Sequence, residues 1–260
     1  MTQALHAEWT KLRTVPGPGW LLLAAMALTV ALSALAVGAM HYPFVGPDQD
    51  LDLTKLSLTG VQLGQALVAI LAVLVISNEY GTGMIRTTLT AIPRRPAVLA
   101  AKAAVVSGVV LAAGGIAVLG CLLVGRLILP GHGFTAAHGY APLSLADGPT
   151  LRAVAGSALY LALIALLSLG AATAVRDAAT AIAVVLGLLY LFPILTQVVT
   201  DPDWQRHLKQ FAPMAAGLAI QSTTNLRSLP ISPWTGLGVL AAWAAAALLA
   251  GGLLLRLRDA

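Results

Sequence analysis

Apolar residues run almost unbroken through six stretches of this chain, and polar residues are confined to the gaps. The stretches are Trp20 to Met40, Leu56 to Ser77, Val98 to Leu129, Leu151 to Val175, Ala178 to Val199 and Trp234 to Leu255. A helix needs roughly 20 apolar residues to cross a bilayer, so the pattern predicts six spans. Pro193 lies inside the fifth and predicts a kink there. Residues 1 to 18 differ: Leu5, Trp9 and Leu12 share one face of a polar helix, with Glu8, Lys11 and Arg13 pointing elsewhere. This predicts an interfacial helix with Trp9 at headgroup level, broken by Pro16, Gly17, Pro18 and Gly19. The run from Phe211 to Ile220 is too short to cross. Polar turns flank it within 200–233, which suggests a shallow or re-entrant hairpin on the outer side. The fold class that follows is all-α, one polytopic membrane domain over 1–260.

The gap between the second and third spans, residues 78–96, is the most structured of the polar segments. Gly81 and Gly83 break the incoming helix, and Thr82 is placed to cap a new one. Ile85, Thr88, Leu89 and Ile92 then recur at helical spacing. Pro93 and Pro96 end that helix, because proline lacks the N–H and clashes with the preceding turn. A short amphipathic helix here is either a handle for a cytoplasmic partner or an element lying on lipid headgroups.

Composition agrees with the membrane reading. The 260 residues are 58% hydrophobic and 10% charged, against roughly 25% charged in a soluble domain. The net charge of +5 sits in loops, where it sets topology and does not suggest nucleic acid. With the N-terminus in the cytoplasm, Lys11, Arg13, Arg86, Arg94, Arg95, Lys102, Arg176, Arg256 and Arg258 fall inside, and Lys55, Arg126, Arg152, Arg206, Lys209 and Arg227 outside. The denser clusters are inside, which places both termini and residues 78–96 in the cytoplasm. Lys102 reads as a snorkelling residue at the inner end of the third span. Lys11 and Arg13 before the first span, with Ala34-Leu35-Ala36 inside it, resemble a cleavable signal. The long amphipathic leader and the continuing apolar run favour an uncleaved span.

Candidate chemistry is sparse. No nucleotide-gripping G-x-x-x-x-G-K-[ST] occurs. No ionisable residue sits near the middle of a span, where ion-coupled transporters carry one. Ser157 has no histidine in a later span to activate it. Asp48, Asp50 and Asp52 lack the glycine and glutamate of a calcium loop and read as a solvated outer loop. His132 and His138 have no ligating neighbours, and Cys121 reads as a packing residue. No catalytic, cofactor or metal site is predicted. Gly60-Val61-Gln62-Leu63-Gly64 marks a close helix approach through Gly60 and Gly64, and Gln62 and Gln65 predict interhelical hydrogen bonds. Work must enter from another polypeptide, or none is done.

Two stretches carry a resemblance: Glu8-Trp9-Thr10-Lys11-Leu12-Arg13-Thr14, and Ser77-Asn78-Glu79-Tyr80 through Gly83, Ile85-Arg86-Thr87-Thr88-Leu89, Pro93-Arg94-Arg95 and Lys102. In these the chain resembles the ABC-2-type permeases, membrane subunits of bacterial ATP-binding-cassette exporters, particularly the actinobacterial kind. The resemblance implies an N-terminal interfacial helix, a cytoplasmic coupling helix and an outer re-entrant element before the sixth span. It implies pairing with a second permease copy or paralogue in the bacterial cell membrane. A separate ATPase subunit would hold ATP and Mg. Glu79, Tyr80, Gly83, Ile85, Arg86, Thr87, Leu89, Pro93, Arg94 and Arg95 would form the ATPase-coupling surface. Arg86→Glu or Glu79→Arg is then expected to uncouple hydrolysis from transport with the fold intact. A drug, antibiotic or other amphipathic compound is the expected cargo. The alternative is a non-transporting sensor or scaffold that uses the same handle.

Overall fold

Helices long and apolar enough to cross a membrane form where the apolar runs predict them. The computed structural model describes residues 2–14, 16–41, 51–91 and 95–257. Among these it has no strand. The elements are α1 (Thr2–Thr14), α2 (Pro16–Gly38), α3 (Leu53–Ser57), α4 (Val61–Gly81), α5 (Met84–Ala91), α6 (Arg95–Ile128), α7 (Gly148–Val175), α8 (Ala178–Val198), α9 (Pro202–Phe211), α10 (Pro213–Leu218) and α11 (Pro233–Leu257). The six spanning candidates are α2, α4, α6, α7, α8 and α11.

Proline placement differs from the expectation at two points. The first helix ends at Thr14, ahead of the Pro16–Gly19 stretch, and that stretch itself forms the start of α2. Pro96 likewise sits in the first turn of α6. The first turn has no intrahelical acceptor waiting for its N–H groups, so proline is tolerated there. Pro193 lies inside α8, as its place in the run requires. Thr82 also differs. Its hydroxyl donates to the Asn78 carbonyl at 2.7 Å and closes the end of α4 instead of starting α5. Gly83, at φ +71°, makes the turn between them.

The helix α7 is the central post. Of its most apolar window 61% is buried, against 17% for α8 and 22% for α2 and α11. It packs on α4, α6, α8 and α11. Its crossing with α11 depends on a missing side chain: a Cβ at Gly170 would fall 2.5 Å from the Ala247 carbonyl carbon. Close backbone approach of this kind is how helices associate where lipid offers no hydrophobic drive. Arg176, at φ 65°, closes α7, and Asp177 caps α8 through Thr180.

Polar positions within spans bond partly across helices and partly back along their own helix, as Thr29, Ser168 and Thr173 do, and Gln62 takes part through its backbone carbonyl. Gln65 is fully buried, accepts from the Tyr160 hydroxyl of α7 and donates to the Gln62 carbonyl at 2.9 Å. The Tyr190 hydroxyl of α8 donates to that same carbonyl at 2.8 Å. Cys121 is buried, with its Sγ 3.7 Å from the Thr29 carbonyl. Ser157 accepts from Gln221 at 3.1 Å.

We expect Gly170→Leu to force α7 and α11 apart and to cost about 1–3 kcal/mol or more by overpacking. Thermal unfolding of the purified protein should show a clearly lower midpoint than for Gly187→Leu, at a position open to its surroundings.

Candidate functional site

Among the described residues the interior holds one concentration of charge, and it lies where α1, the end of α4, α5 and the start of α6 meet. Glu8 and Glu79 face Lys11 and Lys102. The Lys102 ammonium bonds the Glu8 carboxylate and lies 2.9 Å from Glu79 Oε1. Lys11 bonds the same Glu79 oxygen at 2.8 Å and Glu8 Oε1 at 2.9 Å. It also lies 3.3 Å from the Thr88 hydroxyl of α5. Glu8, Glu79 and Lys102 are nearly inaccessible, at 4%, 3% and 1% exposure.

Local structure explains each arm. Glu8 and Lys11 are three residues apart on α1, so they share a helix face. That face turns inward, and Trp9 is 50% exposed. The sequence expectation for α1 is therefore corrected: its Glu8–Lys11 face is docked, because buried charges are tolerable only beside opposite charges. Lys102 is corrected in the same way. It stays among the helices instead of reaching outward, since two carboxylates compensate its charge where it stands. Burial alone would lower the Lys11 pKa. The hydrogen bonds and charges of Glu79 and Glu8 outweigh burial and hold it above its ordinary 10.5.

The remaining predicted coupling residues divide. Tyr80 is half-buried, with the Arg176 guanidinium 5.5 Å from its ring centroid. Ile85 is buried and fastens α5 to the bundle. Arg95 donates to the Leu255 carbonyl at 2.8 Å, and Arg176 to the Leu254 carbonyl at 3.4 Å. Both cations thus complement the negative end of α11. Gly83, Met84 and Thr87 are exposed. Arg86 and Leu89 belong to α5, and their side chains lie outside the described residues, as do Pro93 and Arg94 altogether. Glu79 is turned inward, so Glu79→Arg would gather three cations and is expected to disturb the fold as well as the coupling.

Gly60 and Gly64 lie against α2. A Cβ at Gly60 would stand 1.9 Å from the Thr29 carbonyl oxygen, and one at Gly64 1.8 Å from the Thr29 hydroxyl. The Gly60 N–H donates to the Ser33 hydroxyl at 3.0 Å.

At the opposite end of the bundle, the segment after α9 is held inside. The α10 helix and the 3₁₀ turn Ala219–Gln221 pack against α7 and α11. Asp52 caps α3 and accepts from the Thr223 N–H and, at 2.8 Å, from its hydroxyl. Arg152 donates to the Ser222 carbonyl at 2.6 Å. Asp52 is thus an anchor and not part of a solvated loop, while Asp48 and Asp50 lie outside the described residues.

Among the described residues no group of histidine, cysteine and acidic side chains could hold a metal. Six apolar helices around a glycine-set core define a multi-pass membrane protein. The family model of ABC-2 family transporter proteins matches residues 4–194. The chain belongs to that family, whose members are membrane subunits for transport and not catalytic ones. No match was found among curated proteins.

Lys102→Met would leave Glu8 and Glu79 with Lys11 alone, and should cost about 3–5 kcal/mol, the usual penalty for breaking a buried pair. A fall in melting temperature, with α1 becoming protease-sensitive first, is the outcome to look for. The pH response has a definite sign. A pKa raised in the folded state contributes stability below the unfolded value, lost as pH rises through the folded one. The Lys11 contribution should persist through neutral pH and decline only above 10.5. Melting curves of the wild type and Lys11→Met should differ by a constant amount from neutral pH up to that pH and converge beyond it.

Proposed function

We propose that the chain is the membrane-spanning permease subunit of an ATP-driven exporter in the bacterial cell membrane, with both termini cytoplasmic. A separate ATP-binding-cassette subunit would bind ATP and Mg and dock on α5. A second permease copy or paralogue would complete the path. The observation that carries this reading is the four-charge cluster directly behind the exposed α5 segment.

The mechanism follows from stiffness. Residues Gly83, Met84 and Thr87 offer an exposed edge. Behind it, Ile85 and the Lys11–Thr88 contact join α5 to the interior. Glu79 terminates the second span, Lys102 stands in the third, and Glu8 and Lys11 carry α1. Charges in a water-poor interior interact strongly and tolerate little separation. A displacement of α5 would therefore carry α1, α4 and α6 together instead of dissipating in a loop. Glu79 takes part from the inside, by fixing the end of α4, and α5 supplies the contact surface. Helix α7, braced on α11, is the post against which that unit would tilt. A segment held like α10 between spanning helices at the opposite end suits an outer re-entrant element. The expected cargo is amphipathic, because the spans carry no charge in their middles.

Arg86→Glu and Met84→Glu test the coupling. Each should assemble at normal levels with an unchanged melting point, yet lower transport-coupled ATP hydrolysis by about tenfold or more, as expected for a contact worth over 1.4 kcal/mol. Unchanged coupling in reconstituted vesicles would remove α5 from the mechanism. A sensor or scaffold would bind its partner through α5 and move no solute in the same vesicles.

A further inference from the structure

Helix α9 is turned the wrong way round for a helix that packs on a protein core. Trp204, Leu208 and Phe211 recur at four- and three-residue spacing and so share one face. A helix of a water-soluble domain would press that face inward. Here Trp204 is 65% and Phe211 63% exposed, and none of the ten residues of α9 is buried. The polar side is the one that holds the bundle. Gln210 donates to the Pro230 carbonyl at 2.8 Å, ahead of α11, and Gln205 to the Val199 carbonyl at 2.6 Å, just past α8. Lys209 borders a cavity of about 400 Å³ whose other walls are α3, α4, α8 and residues 214–230.

The neighbours of α9 fix its depth. It follows α8 directly, and the exposed apolar side chains of that span, Leu191, Ile194 and Val198, continue up to it. At its far end the Phe211 carbonyl accepts from Trp243 Nε1 at 3.0 Å. Trp243 stands well inside the spanning helix α11, whose first turn carries the exposed Trp234. The end of α9 thus lies below the tip of α11, near the level where headgroups give way to acyl chains and tryptophan concentrates. A protein partner fits this face poorly. Asp203, Arg206, His207 and Lys209 are exposed around it, whereas the core of a protein interface is depleted of charge. A buried aromatic side chain covers roughly 150–250 Å², so this pair falls well short of the roughly 800 Å² that a stable partner covers. We infer that the Trp204–Leu208–Phe211 face is an interaction surface for phospholipid. The helix α9 lies along the bilayer boundary at the end opposite the charge cluster, its aromatic face among the upper acyl segments and its polar side against the bundle. The following helix α10 is packed on α8 and α11 instead, with Pro213, Met214, Ala216 and Gly217 buried. The inference requires only the membrane-spanning fold and is independent of the transporter reading.

The test uses the full chain in phosphatidylcholine vesicles, without any ATPase. A nitroxide is attached at Trp204→Cys, Phe211→Cys or Arg206→Cys, one at a time; the native Cys121 is buried. Collisions with oxygen, which concentrates in the bilayer, are compared with collisions with a water-soluble nickel chelate. The oxygen-to-nickel ratio should be severalfold higher at positions 204 and 211 than at 206. Equal ratios at all three would put the aromatic face in water and overturn the inference. Low access to both reagents at 204 and 211 would mean that protein covers the face, a second copy if the labels also broaden one another, and would overturn it as well. A second measurement keeps the face apolar. The tryptophan emission lost in Trp204→Phe is that of Trp204 itself. This share should be quenched by phosphatidylcholine brominated on its acyl chains and spared by aqueous iodide. Quenching by iodide, or none by the brominated lipid, would overturn the inference even if the cysteine variants were disturbed.

Discussion

Four charges that an apolar environment would reject if they were alone decide how one end of this protein is put together. Glu8 and Glu79 balance Lys11 and Lys102, and three of the four are almost sealed from solvent. The four come from three parts of the chain: Glu8 and Lys11 from α1, Glu79 from the end of α4 and Lys102 from the start of α6. The cost of burying any one is offset only when all are present. The cluster therefore acts less as a source of stability than as a registration device. It admits one arrangement of α1, α4 and α6 and penalises others. The proposed coupling through α5 would need this property, because there geometry matters more than strength.

The opposite end is organised differently. There the inserted segment is held by neutral and singly charged contacts: Asp52 to Thr223, Arg152 to Ser222, Gln221 to Ser157. Such contacts satisfy backbone groups that would otherwise be stranded between helices. Between the two ends, small residues set the distances. Gly60 and Gly64 bring α4 onto α2, and Gly170 brings α7 onto α11. A bundle of this kind is stiff along its helices and has polar fixtures at its ends, which suits a protein moved from outside.

Much of this was legible in the residues. Every spanning helix lies where an apolar run predicts one, and α5 falls within the proline-bounded segment. The signal for the cluster was also present, though easy to misread. Glu8 and Lys11 look like one solvated face of a surface helix. Lys102 looks like a residue that stretches to water. Yet Lys102 sits a full two turns inside an apolar helix in a chain with only 10% charged residues, and a lysine so placed needs a named partner. The inward turn of Glu79 had no local signature at all.

What the sequence determines by itself is the number of spans, their limits to within a few residues, the family and the existence of a short structured helix between the second and third spans. These depend on local properties: apolar length against bilayer thickness, helical spacing, and the effects of glycine and proline on backbone freedom. Tertiary structure alone decided which face of α1 is buried, that Glu79 and Lys102 meet across 23 positions of sequence, that Arg95 and Arg176 close the end of α11, and that the aromatic face of α9 points away from the bundle. Those pairings depend on how helices rotate and cross. Rotation is chosen by the sum of many contacts between distant residues, and no local window contains that sum.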